Sequence, residues 1–383
     1  MKRRDFLRLA ASGALLGSVG HVAFAAPATG KRNLLILVEL KGGNDGLNTV
    51  VPFSDPNYAR LRPRIGLPRD QVLQLDERSA LHPSLDRLMP LWADKQLAVV
   101  QGVGYPDPNL SHFRSIEIWD TASKSGEYLE EGWLARAFAQ SPSPSTFAAD
   151  GVVVGATDMG PLLGAPRAIA LANPEQFLRN ARLAHASGEA RNHSLAHILR
   201  VEREIVRSAD RLTAGHVFAT DFPAGGFGNA IRTAAQLAAN PAGIAVIRVT
   251  LGGFDTHANE LTTHANLMRQ LGEGLSALRT ALTEIGRWDE TLVATYSEFG
   301  RRPAENQSGG TDHGAAAAHF VIGGKVRGGL YGAPPKLDRL DGSGNLPFAV
   351  DFRSYYATFL DRWWGVDAKT ALGGSFDNLD ILA

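Results

Sequence analysis

Short apolar runs recur along the chain at 33–40 (Asn-Leu-Leu-Ile-Leu-Val-Glu-Leu), 97–103, 151–154, 243–250, 291–296 and 318–324. A run this short that stays apolar on both alternating faces predicts a strand buried on both sides. Helical spacing lies between the runs. Leu81, Leu85, Leu88 and Leu91–Trp92 form one stripe. Residues 192–213 are charged and amphipathic, and 227–239 are rich in alanine. Over 260–286, Leu267, Leu271, Leu275, Leu278, Leu282 and Ile285 step by threes and fours, and 352–364 carries an aromatic face. Strand–helix alternation of this kind predicts an α/β three-layer sandwich with a largely parallel sheet. Ligands of such sheets sit beyond the carboxyl ends of the strands. The polar residues that follow each run are therefore where chemistry is to be sought. Residues 104–150 and 155–190 read as irregular excursions over that face.

The ends change the picture first. Lys2-Arg3-Arg4-Asp5-Phe6-Leu7-Arg8 resembles the twin-arginine export consensus. A mildly apolar run to about Val19 follows, short of the roughly 20 residues a membrane helix needs. Ala23-Phe24-Ala25 then offers small residues where a signal peptidase cuts. Residues 1–25 are expected to be an export signal read by the twin-arginine machinery. Residues 26–383 are expected to form one domain, periplasmic or secreted, with no stable membrane span. Twin-arginine export carries folded proteins, which raises the expectation of a bound cofactor. The chain contains no cysteine, so disulfides and thiolate metal sites are excluded. Its formal net charge is +0 and no long basic run occurs, which argues against nucleic acid as a partner.

Chemistry-bearing residues cluster where the strands end. The first run closes in Lys41-Gly42-Gly43-Asn44-Asp45-Gly46, an acidic residue in a glycine-rich turn placed to hold a cation. The same residues suit a tight turn built on Asn-Asp. A dinucleotide site is disfavoured, because the G-x-G-x-x-G spacing is missing. The fourth run ends in Gly253-Phe254-Asp255-Thr256-His257, where carboxylate and imidazole together suit zinc or another first-row ion. Alternatively, Asp255 or Thr256 caps the helix that follows. The fifth ends in Ser297-Glu298-Phe299-Gly300-Arg301, offering an oxygen ligand or base and a guanidinium for a tetrahedral anion. Gly310-Thr311-Asp312-His313-Gly314 precedes the sixth. After the second run, Ser111-His112-Phe113-Arg114 places a hydroxyl at a helix start, either as nucleophile or as a plain N-cap. His82 reads as a helix-start residue without chemistry. His185, His193, His197 and His216 lie in polar segments and receive no role.

Taken together and in this order, these motifs resemble the family known as domain of unknown function 1501, over nearly all of the chain after its signal. That family is similar in fold to the alkaline phosphatase and sulfatase superfamily. The resemblance implies a two-metal site for phosphoryl or sulfuryl transfer. Asp45 would match the superfamily's first strand-end aspartate, Ser111 its nucleophile, Asp255 and His257 one metal pair, and His313 its late histidine. Where the superfamily has an Asp-His pair, this chain has Glu298-Phe299, and phenylalanine cannot ligate a metal. One site is then weakened, Asp312 or His112 fills in, or one ion binds. The expected function is a metal-dependent hydrolase of phosphate or sulfate esters on small or polymeric anions. Ser111 and His112 would act in catalysis, and Arg114 or Arg301 would bind an oxygen. The metal ligands would be Asp45, Asp255, His257, Glu298, Asp312 and His313. Zinc is the first choice of divalent metal, with manganese or calcium as alternatives. The rival expectation is a non-catalytic descendant that binds a metal or an anion in the cell envelope. A redox protein ranks last, since no haem, flavin or iron–sulfur motif occurs.

Overall fold

The computed structural model describes residues 33–172 and 216–383. The export signal expected at 1–25, the helix expected at 192–213, and His185, His193 and His197 lie outside the described residues. The strands are β1 (Leu34–Lys41), β2 (Val50–Val51), β3 (Leu73–Gln74), β4 (Ala80–Leu81), β5 (Leu97–Gly104), β6 (Ala149–Val154), β7 (Ala168–Leu171), β8 (Ile244–Gly252), β9 (Thr291–Tyr296), β10 (Gly300–Glu305), β11 (Thr311–Gly314), β12 (Ala317–Ile322), β13 (Gly329–Tyr331) and β14 (Val350–Asp351). The α-helices are α1 (Gly46–Thr49), α2 (Pro56–Leu61), α3 (Met89–Ala93), α4 (His112–Thr121), α5 (Trp133–Gln140), α6 (Gly226–Ala238), α7 (Glu260–Glu284), α8 (Phe352–Thr358) and α9 (Ala368–Leu372).

All six expected strands form, and all join one sheet in the order β13-β5-β12-β9-β1-β8-β6-β7, with β14 beside β5. The pairings of β1 with β8 and β9, and of β6 with β7 and β8, are parallel. Only β12 runs against its neighbours β5 and β9 among the described residues of this sheet. That reversal matters for function. The segment leading into β12 meets the carboxyl ends of the parallel strands, so Asp312 and His313 arrive where Gly42, Asp255 and Glu298 already are.

The apolar runs are buried on both faces because each face has its own core. Along β1, Leu34, Ile36, Val38 and Leu40 join a cluster with Ile231 of α6 and Leu271, Leu275 and Leu278 of α7. Leu35 and Leu37 point the other way, into a cluster with Trp119 of α4, Trp133 and Leu134 of α5 and Tyr355 of α8. Period-two alternation within a wholly apolar strand thus builds three layers. The α/β sandwich with a largely parallel sheet expected from the sequence is the observed architecture.

Some expected elements differ. The stripe over 81–92 forms a 3-10 helix (Pro83–Leu88) followed by the short α3. Pro83 is tolerated at the first helical position, but Pro90 removes a backbone donor where the two helices would otherwise join. The aromatic segment 352–364 starts as α8 and finishes as a π-helical turn, Phe359–Trp364. The stretch 104–150, expected to be irregular, carries α4 and α5, both with buried inner faces. Among the described residues no helix is long and apolar enough to cross a membrane.

Candidate metal centre

The loops at the carboxyl edge are tied to one another by buried bonds. Gly42 has a φ of +118°, and a Cβ there would lie 2.4 Å from the Asp255 nitrogen. Glycine at this position lets the loop after β1 press against the loop after β8. The Gly42 N–H donates to Glu298 Oε1 at 2.8 Å, and the Asn44 N–H to Ser297 Oγ at 3.0 Å. On the far side, Asn306 Nδ2 donates to the His257 carbonyl at 2.9 Å, and the Thr311 N–H to the Thr256 carbonyl at 3.2 Å. The first turn of α7 is held in the same way, with Glu260 N–H on the Gly309 carbonyl at 2.9 Å. Neither Asp255 nor Thr256 caps α7, whose N-cap is Asn259 in the left-handed region. α4 is pinned to the same edge by Ser115 Oγ, which bonds the Glu298 carbonyl.

Four donor groups converge in the space these loops enclose. Ligand atoms of His112, Asp255 and His313 all lie within 4.8 Å of one another. Asp255 Oδ1 is 3.4 Å from His112 Nε2, 3.2 Å from His313 Nε2 and 3.0 Å from His257 Nε2. The Nε2 atoms of His257 and His313 are themselves 3.0 Å apart. The outer nitrogens are anchored: His112 Nδ1 lies 2.9 Å from Glu298 Oε1, and His313 Nδ1 2.7 Å from the Leu110 carbonyl. Such partners fix ring orientation and leave Nε2 aimed inward. Burial pulls the Asp255 carboxyl up, but the Arg301 bond and then His313 outweigh it and hold the group low. Burial pushes His313 downward, toward the neutral form that ligates metal. The donor set of imidazoles around a carboxylate fits one divalent first-row ion.

The remaining predicted residues fall elsewhere. Asp45, expected as a ligand, is fully buried under Arg62, whose Nη1 and Nη2 donate to Oδ2 and Oδ1, the latter at 2.8 Å. Burial alone would raise this carboxyl; the guanidinium outweighs it and holds the group far below the usual carboxylate range. Glu298 is buried and supports His112 rather than standing open. Asp312 is half-exposed, with Oδ1 3.7 Å from His257 Nδ1. The arginines expected to grip substrate are both consumed. Arg301 is wholly buried and donates to the carbonyls of Gly42, Gly43, Phe254 and Thr311 and to Asp255. Arg114 Nη2 donates to the carbonyls of Lys124, Ser125 and Glu127 and so locks that loop. Ser111 stands exposed as the N-cap of α4, and its side chain makes no capping bond. Phe299 packs its ring against His112 and His313, with centroids 4.8 and 4.4 Å away. His82 caps the Pro83–Leu88 helix, accepting from the Ser84 N–H at 3.0 Å.

Sequence reasoning missed Arg62 and Glu260. Arg62 joins Asp45 to the carbonyls of Pro303 and Arg302 and so carries the β10–β11 hairpin. Glu260 accepts from Thr256 Oγ1 at 3.1 Å and Thr311 Oγ1 at 2.6 Å, tying together the two loops that carry Asp255, His257 and His313. An acid in a first helical turn ordinarily reads as a dipole partner, and nothing in the sequence marks this one as buried.

The chain is similar to solved structures at low identity. One is Ps i-CgsB in complex with k-i-k-neocarrahexaose (11% identity, TM-score 0.42, covering 90% of this chain and 75% of that one). Another is the C-terminal periplasmic domain of EcEptC from Escherichia coli (11%, 0.40, 92% of each chain). A third is the phosphonate monoester hydrolase SpPMH from Silicibacter pomeroyi (12%, 0.39, 91% and 75%). No curated protein matches. The family model described as "Protein of unknown function (DUF1501)" matches residues 32–372, and the chain therefore belongs to the DUF1501 family.

Proposed function

We propose that this chain is an exported, metal-dependent hydrolase that acts on phosphate or sulfate esters. The observation that carries the reading is the convergence of His112, Asp255 and His313 at the carboxyl edge of the sheet, one residue along the chain from the Ser111 hydroxyl. Imidazoles around one carboxylate favour zinc, then manganese; calcium prefers an all-oxygen shell. When bound, the ion supplies a Lewis acid that draws charge from an ester oxygen and lowers the pKa of a nearby hydroxyl. His112, Asp255 and His313 would hold it, with His257 at the rim.

The chain's own residues do the rest. Ser111 Oγ forms a bond to phosphorus or sulfur as the ester oxygen leaves and takes up a proton. Water then attacks the seryl ester, releases the inorganic anion and restores the hydroxyl. The unpaired N–H groups of the first turn of α4 offer hydrogen bonds to the anion's oxygens, a task that neither Arg114 nor Arg301 is free to perform. His257 is the most accessible imidazole of the cluster and is placed to exchange protons with solvent. Hydrolysis of an aryl phosphate and an aryl sulfate by the metal-loaded protein tests the reading. Ser111→Ala is expected to keep its metal and lose roughly 1000-fold or more of the turnover. Full activity in that variant would remove Ser111 from its role.

A second reading has its own support. Phe299 stands where the resemblance implies a donor, and Arg301 and Arg114 are both buried and bonded to loop carbonyls. A binding protein of the same fold would turn over no ester, yet its melting temperature would rise with metal, because a ligand bound only by the folded state stabilises it.

A further inference from the structure

We propose that the centre holds a single divalent ion and that the buried Arg301 guanidinium takes the place of a second cation. The inference rests on the metal-centre reading above and departs from the two-ion site that the superfamily resemblance implies.

A second ion needs donors of its own, and the described residues supply none in position. Both Asp45 oxygens accept from Arg62, inside a pair whose side chains are 0% exposed. Glu298 Oε1 is shared between the Gly42 N–H and His112 Nδ1, while Oε2 accepts from Ser297 Oγ at 3.3 Å. Phe299 offers no donor. Asp312 reaches only the outer nitrogen of His257, with Oδ1 3.7 Å from Nδ1, and that oxygen also accepts from Asn306 Nδ2 at 3.3 Å. The three Nε2 atoms of His112, His257 and His313 instead surround one oxygen, Asp255 Oδ1. Among the described residues, His112, Asp255 and His313 form the one group of three whose ligand atoms all lie within 4.8 Å of one another.

On the inner side of that oxygen stands Arg301. Its Nη2 lies 2.7 Å from Asp255 Oδ1 and also reaches the Gly42 and Phe254 carbonyls. Nε bonds the Gly43 carbonyl at 2.7 Å and Nη1 the Thr311 carbonyl at 2.9 Å. Four backbone carbonyls cradle the guanidinium, and the Asp255 carboxylate is its ion-pair partner. Asp255 Oδ1 thus has the Arg301 guanidinium on one side and on the other the imidazoles of His112 and His313, which would hold an ion with it. A bridging carboxylate occupies the same place between two metals. Like charges would repel a second dication from this spot, and the carbonyls that could have received it are already bonded.

The test is metal content of the folded chain after reconstitution with excess zinc or manganese and desalting, beside Asp45→Asn. One ion per chain is expected in both. The manganese-loaded protein should give the hyperfine pattern of an isolated ion by electron paramagnetic resonance. Two ions per chain, an exchange-coupled manganese spectrum, or loss of an ion on Asp45→Asn would overturn the inference and leave the hydrolase reading in place. No ion at all would overturn both. If Asp45→Asn fails to fold, the stoichiometry and the spectrum of the unaltered chain decide alone.

Discussion

At the scale of single residues, burial decides which charged groups are available for chemistry. Asp45 and Asp255 both follow a parallel strand in a glycine-rich turn, and by sequence they are equivalent. Arg62 arrives from α2 to close on the first, while the second keeps one face open to three imidazoles. Removing one partner of a buried pair strands the other charge. Asp45→Ala is therefore expected to cost about 3–5 kcal/mol in urea unfolding, and a cost near zero would show that the pair is not formed. Glu260 gives a second test. Burial, then the neighbouring Asp45 carboxylate, push it up to about 8. A carboxyl raised on folding binds its proton more tightly in the folded chain, so stability falls as pH rises from the ordinary value of 4.5 toward 8. The buried His82 and His264, lowered by burial to about 3 and about 4, act oppositely, but only below their ordinary 6.5. Between 6.5 and 8 the wild type should lose stability with rising pH, and Glu260→Gln should lose less. Parallel profiles for the two proteins would contradict the assignment. Which acid is paired depends on contacts between Asp45 and Arg62, or Glu260 and Thr311, that cross the fold, and the local sequence does not record them.

At the scale of elements, the site is a product of loop-to-loop seams. The hairpin β10–β11 carries both Arg301 and His313, and it is pinned by Arg62 on one side and by the Thr256 carbonyl on the other. Gly310 sits at the tightest point of the second seam, where a Cβ would come within 2.3 Å of the His257 carbonyl carbon and the Thr256 oxygen. Gly310→Ala should force the loops apart, weakening metal retention by dialysis at least as much as it lowers the melting temperature. Unchanged retention would mean that His257 and His313 do not depend on this seam. The strands were legible because their residues are apolar on both faces over a whole run. The order in which they pair was not legible, and neither was the reversal of β12. The hairpin β10–β11 also escaped notice, since Gly-Arg-Arg-Pro-Ala-Glu has no strand-like alternation and pairs through a bulged register. Similarly, the sequence marks only the start of α4, because the charged and polar residues of His112–Thr121 mask a buried stripe of Ser115, Ile118 and Trp119.

At the scale of the whole molecule, two apolar cores grip one sheet and leave its carboxyl edge as the place where polar loops must meet. The motifs at 42–46, 253–257, 297–301 and 310–314 lie on that edge, because each follows a parallel strand or precedes the antiparallel one. Of the residues expected to act there, Asp255, His257 and His313 come together, while Asp45, Arg114 and Arg301 are buried in bonds with Arg62, the 124–127 loop and the strand-end carbonyls. His112, a substitute ligand on the sequence reading, belongs to the cluster around Asp255. The most direct test is an anomalous difference map from crystals of the zinc-loaded chain, measured on both sides of the zinc edge. The account predicts one strong peak within about 2.0–2.2 Å of imidazole nitrogens of His112 and His313 and a carboxylate oxygen of Asp255. A peak beside Asp45, or none among these three residues, would contradict it.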